Sequence, residues 1–147
     1  MSKAVLLSTF SEWFELIANG KKTVEIRKTK PKLETPFKCY IYCTKSKGDS
    51  SCCGLDRVEN GKVVGEFTCD RIRRFRPAGV TFDDETVRHS CICLSHLIGY
   101  VSNKRFPEDY IFGWHIKNVI IYDIPKELKE FHLLTPPRSW CYVEEAK

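Results

Sequence analysis

The stretch Gly20–Lys32, GKKTVEIRKTKPK, carries six lysines and arginines against one acid, Glu25. The side chains with chemical potential cluster at its start: Lys21, Lys22, Glu25 and Arg27. Thr23 to Arg27 alternates, with Val24 and Ile26 on one side and Thr23, Glu25 and Arg27 on the other, which is the period of a β-strand. Val24 and Ile26 suit a core. Glu25 and Arg27 tolerate burial only as a pair, because an unpaired buried charge is very unfavourable. Two residues apart on a strand, they are about 7 Å apart along the backbone, close enough to pair. On the residues alone, the simplest reading is an ion pair bridged to its neighbours on a solvated strand face; the other is the wall of a ligand site.

The elements that must position this strand are legible along the chain. Ala4–Leu7 reads as a buried strand. A helix follows, with Thr9 and Glu12 as a capping box and Phe10, Trp13, Phe14 and Ile17 at i, i+3, i+4 and i+7. Gly20 is placed to end it in a left-handed conformation. Lys28–Pro36 is a loop. Phe37–Cys43 is a strand with Phe37, Cys39, Ile41 and Cys43 on one face and Tyr40 and Tyr42 on the other. Residues 44–61 are polar and rich in Gly, Ser and Asn, the composition of a surface loop. Lys62–Phe75 is a long strand, and Asp83–Val101 has a helical period through Val87, Cys91, Leu94, Leu97 and Ile98. Tyr110–Tyr122 and Arg138–Glu144 complete about six strands. That content predicts an α+β fold in a single domain, 1–147, with a small mixed or closed sheet and two main helices.

The net charge is +5, and its placement is uneven. Residues 1–50 hold ten Lys/Arg and five Asp/Glu, whereas residues 51–147 hold fourteen of each. Basic excess in one region favours an anionic partner, nucleic acid first. The run Arg71, Arg73, Arg74 and Arg76 reads first as a solvated strand edge, the other reading being an extension of a phosphate track. No stretch approaches the 18 apolar residues of a membrane span, and the N-terminal apolar run is too short for a signal peptide. A cytoplasmic protein is therefore expected, with its eight cysteines reduced. Their spacings do not match zinc knuckles. His89, Cys91, Cys93 and His96 lie close in sequence but within a helical run, so neither a metal nor a cofactor is expected.

Three further segments carry a family resemblance. Gly20-x-Lys22-x-x-Glu25-x-Arg27 after a helix, then Gly65-Glu66-Phe67, then Gly113-Trp114-His115-Ile116 leading into Tyr122–Leu128, together resemble the ASCH domain family. The closing segment Pro136–Val143 resembles a bacterial and phage subgroup of it. The resemblance implies a PUA-like fold, a small β-barrel with helices packed on it. It also implies a cleft, lined by the first motif, that binds RNA or a modified nucleotide.

In such a cleft Lys21 and Lys22 would meet a phosphate or oxyanion, and Arg27 would offer a planar donor fork. Glu25 would accept from an exocyclic amine or a 2′-hydroxyl. Trp114 is either a base-stacking surface or a core tryptophan; Trp13, Tyr40 and Tyr42 read as core. The alternative implied by the family is a hydrolase, acting on RNA or on acetylated cytidine, with Lys22 and Glu25 as the catalytic pair. Relatives of the amidohydrolase kind use a Lys, a Thr and a Glu. Lys22 matches their Lys, Glu25 stands where they keep the Thr nucleophile, and Glu66 is a candidate for their Glu by location. Loss of that hydroxyl argues against the amidohydrolase form.

Overall fold

Ala4-Val5-Leu6-Leu7 is apolar without interruption because both faces of its strand are covered. The computed structural model describes residues 2–44, 61–102 and 110–145. Among them are β1 (Lys3–Thr9), β2 (Val24–Arg27), β3 (Phe37–Cys43), β4 (Lys62–Phe75), β5 (Ile111–Lys126) and β6 (Trp140–Glu144). Three α-helices accompany them: α1 (Ser11–Ala18), α2 (Glu85–Ser90) and α3 (Leu94–Ser102). The strands form one sheet in the order β2-β5-β4-β3-β1-β6. The β1–β3 pair is parallel and every other pair is antiparallel. The expected surface loop 44–61 lies outside the described residues except at its two ends.

The sheet curls because its two longest strands are irregular. β4 and β5 pair with three register shifts, and each such bulge adds local twist. The concave side holds the main core: Val5 and Leu7 of β1, Cys39 and Ile41 of β3, Phe67 and Cys69 of β4, and Trp114 of β5, plugged by Phe14 and Ile17 of α1. Ala4, Leu6, Tyr40 and Tyr42 point the other way and are covered by Phe131. Val24 and Ile26 face a third cluster, built with Phe75, Ile111, Val87 of α2 and Leu97 of α3.

The two edge strands, β2 and β6, close on each other through side chains rather than a backbone ladder. Arg27 Nη2 donates to Ser8 O at 2.8 Å, and Nη1 donates to Ser139 O and Oγ at 3.2 and 3.1 Å. Trp140 Nε1 donates to Thr29 Oγ1 at 2.9 Å, and the Lys32 amide donates to Tyr142 Oη at 2.7 Å. The result is a barrel-like mixed sheet with flanking helices, the α+β, PUA-like architecture expected.

Three local expectations are corrected. Thr9 does not cap α1: it is the last residue of β1, paired with Cys43, and its carbonyl accepts from the Thr44 amide. The N-cap is Phe10, with no side-chain cap bond. The helical run Asp83–Val101 is two helices, broken at Cys91, whose φ is +60°. Asp84 caps α2 by accepting from the Thr86 and Val87 amides, and Ser90 Oγ binds both Val87 O and the Ile92 amide across the break. The supposed solvated face of β2 is buried, as is the rest of that strand. Gly20 does adopt a positive φ, +83°, where α1 ends.

Candidate functional site

Glu25 pairs across the ladder with Trp114, and directly opposed residues share a sheet face. Since Trp114 is in the main core, Glu25 and Arg27 point into the barrel seam rather than to solvent. Glu25 is only 6 % exposed and Arg27 8 %. Their closest ion-pair contact is Arg27 Nε to Glu25 Oε1 at 3.6 Å, longer than a hydrogen bond. Arg27 therefore faces Glu25 with its charge while its other two nitrogens are held by Ser8 and Ser139.

Lys22 enters from the turn after α1, fixed by its amide donating to Leu16 O at 3.0 Å. Its side chain is 1 % exposed. Nζ donates to Ser90 O at 2.5 Å and lies 4.9 Å from the centre of the Trp13 ring. Burial lowers its pKa, and the nearby Glu25 charge opposes that only in part. Among the described residues Nζ makes this one hydrogen bond, and an ammonium has three N–H donors.

A cleft of about 700 Å³ opens over these groups. Lys22, Glu25 and Arg27 form its polar base. Phe10 and Trp13 line it from α1, and Tyr100 from α3. Lys28 Nζ lies 4.6 Å from the Tyr100 ring centre. Cys91, Cys93, His96 and Arg138 also reach it. Cys91 and Cys93 are exposed, unlike the buried Cys39, Cys43 and Cys69. The described residues assemble no group of three His, Cys, Asp or Glu side chains fit to hold a metal ion.

Glu25 Oε2, Arg27 Nε and Trp114 Nε1 are buried side-chain polar atoms with no hydrogen-bond partner among the described residues. All three belong to the paired strands β2 and β5. Native proteins rarely leave such groups unsatisfied, and Glu25 and Arg27 are the two of these residues that line the cleft. An ionised carboxylate only accepts, and its free oxygen calls for an N–H or O–H.

Of the residues singled out in the sequence, Lys22, Glu25 and Arg27 come together. Trp114 does not join them on the cleft surface. It is fully buried, with edge-on contacts to Phe37 and Trp140, so no base can stack on it. Lys21 is exposed and absent from the cleft lining. Glu66 lies elsewhere, paired with Lys38 at 3.1 Å and accepting from Tyr122 Oη at 2.7 Å. Trp13, read as core, is half-buried on the cleft wall, because the inward stripe of α1 runs through Phe14 and Ile17. Tyr100, His96 and Arg138 were missed. Tyr100 stands three residues after the buried Leu97, one helical turn along, which is the signal that would have found it. Arg73 anchors α2, donating to Asp84 and Thr86, and Arg74 stacks 3.8 Å from the Tyr110 ring centre; neither is simply a solvated edge.

A family model described as the ASCH domain matches residues 7–126. Among solved structures, the chain is similar to ASCH from Zymomonas mobilis, with 17 % identity and a TM-score of 0.70 over 97 % of this chain and 88 % of that one. Two single-residue mutants of the same Zymomonas mobilis protein match alike, each at 16 % identity. One has a TM-score of 0.71 over 98 % and 92 % of the two chains, the other 0.70 over 97 % and 89 %. At this identity the likeness speaks for the fold. No curated protein matches the sequence.

Proposed function

Because the chain belongs to the ASCH domain family, we propose that its cleft binds RNA, or a modified nucleotide, by taking one base between aromatic walls. The observation that carries this is Glu25 Oε2, a buried carboxylate oxygen of a cleft-lining residue with no hydrogen-bond donor among the described residues. A base or ribose supplies such a donor; a phosphate does not, and would be repelled. Lys22 adds donors beside it for a ring nitrogen or carbonyl. Trp13 and Tyr100 offer π-faces, which stack any base by about 1–3 kcal/mol. Arg27 acts on this reading as the clamp that positions Glu25, not as a phosphate fork, since Ser8 and Ser139 already hold its outer nitrogens. Filter binding of single-stranded RNA at low salt tests it. Wild type should retain RNA, and Glu25→Gln and Lys22→Met should each weaken retention about tenfold or more. Equal retention by all three proteins would remove the cleft from the account.

A second reading is favoured by one feature. The Lys22 amine is held toward its neutral form by burial, against the opposing charge of Glu25, and desolvation is one way a lysine becomes a base or nucleophile. On that reading the protein is a hydrolase of RNA or of an acylated nucleoside. Incubation with acetylcytidine and with labelled RNA decides it: turnover must be present in wild type and absent in Lys22→Met.

A further inference from the structure

A second concavity, of about 320 Å³, borders β2 at Val24. Arg71 and Arg73 of β4, His115 of β5, and Glu85, Thr86 and His89 of α2 line it. Most of its charges are already matched. His115 Nδ1 lies 2.6 Å from Asp70 Oδ1, Arg73 Nη1 lies 2.7 Å from Asp84 Oδ1, and His89 Nδ1 lies 3.9 Å from Glu85 Oε1. Arg71 has no carboxylate partner among the described residues. Asp70 and Asp84 are thus each held by an imidazole or a guanidinium, the exposed Glu85 lies at the rim 3.9 Å from His89, and among the described residues the Arg71 guanidinium is left over beside two imidazoles. An unpaired, exposed guanidinium fork in a concavity suits an oxyanion. The floor is kept open by Gly113, where a Cβ would lie 2.9 Å from Thr86 Cγ2 and 3.1 Å from Val24 Cγ1.

This concavity adjoins the cleft. Along α2 and the turn after it, His89 lines the concavity and Cys91 lines the cleft; along β2, Val24 lines the first and Glu25 the second. The Thr23 amide donates to His89 O at 2.9 Å and ties the two segments into one ridge. Neighbouring residues of one ridge thus line both concavities, one on each side of β2.

We infer that the Arg71–His115–His89 concavity is a phosphate subsite. It takes a backbone phosphodiester of the strand whose base is seated on Glu25, so the ligand is a polynucleotide strand rather than a free nucleoside. This rests on the reading of the cleft as a base site. The test is calorimetric titration of wild type, Arg71→Ala and His115→Gln with the four ribonucleosides, the four homotrinucleotides and inorganic phosphate, at several salt concentrations. Wild type should bind its preferred trinucleotide at least tenfold more tightly than the matching nucleoside. Arg71→Ala and His115→Gln should each remove most of that gain and lower the salt slope by about 0.7 per lost phosphate contact, leaving nucleoside affinity unchanged. Arg71 is exposed, so its variant serves even if the histidine variant misfolds. Nucleoside binding without a trinucleotide gain, or a gain that survives Arg71→Ala, overturns this inference alone. Inorganic phosphate binding as tightly as the trinucleotide overturns it in favour of a free anion. Absence of nucleoside binding overturns it together with the base-site reading.

Discussion

At the residue scale, the central pair is Glu25 and Arg27, and the two are not interchangeable in their consequences. Arg27 has four hydrogen-bond or charge contacts, while among the described residues Glu25 has one ion-pair contact, to the arginine, and the nearby charge of Lys22. Removing Arg27 leaves a buried carboxylate without its ion-pair partner and with only the Lys22 charge nearby, a defect of up to about 3–5 kcal/mol. Urea denaturation of Arg27→Ala should show a loss of that order, and the double variant with Glu25→Gln should recover part of it. Recovery of nothing would mean the pair is not coupled. Lys22 gives a pH signature. Its folded pKa lies below the ordinary 10.5, so between the two values the unfolded chain binds the extra proton and stability rises with pH. The buried ammonium destabilises the fold below that window, and the cost fades as pH climbs toward 10.5. Stability measured from neutral to alkaline pH should therefore rise less steeply in Lys22→Met than in wild type. The Glu25–Arg27 pairing was legible from strict alternation. The cleft aromatics were not, because Trp13 fits the same helical period whether it faces a core or a cleft.

At the element scale, close backbone approach fixes where β4 and β5 curl. A Cβ on Gly65 would lie 2.6 Å from Ile120 O, a backbone atom that cannot swing aside. Gly65→Ala should cost about 1–3 kcal/mol in thermal or chemical denaturation. Gly99, within α3, has open space around its Cβ position. Gly99→Ala should be neutral to stabilising, by up to about 1 kcal/mol. A larger penalty at Gly99 than at Gly65 would contradict the description of both elements. The bounds of β3 and β4 could be read from the sequence to the residue, but the faces of β4 could not, since its bulges put Val64 in the main core with Phe67 and Cys69. The break at Cys91 could not, since the apolar period continues through it and the interruption is made by Ser90 Oγ bonding across the turn.

At the scale of the whole molecule, the barrel seam and the cleft are one construction. Arg27 and Ser139 are 112 residues apart in sequence, and their contact draws β2 against the β1–β6 edge while setting Glu25 over Trp114. Closure by side chains leaves no mark in the strand periodicity, so it was not legible in advance, and the strand-rich content alone allowed several closed or open sheets. Trp140 and Tyr142 fasten the same seam to Thr29 and Lys32. Tyr142→Phe removes one such tie from an exposed position and should cost about 1 kcal/mol or less in denaturant titration, far less than Arg27→Ala. Equal losses would place the seam's strength somewhere other than the guanidinium. The claim that joins these scales is that Glu25 is held without a donor so that a ligand can supply one. The most direct measurement is a crystal of the protein soaked with a short single-stranded RNA. The account predicts a base in the cleft beside Trp13 and Tyr100, with an N–H or O–H within hydrogen-bond distance of Glu25 Oε2. RNA bound elsewhere on the surface, with that oxygen still without a ligand donor, would contradict it.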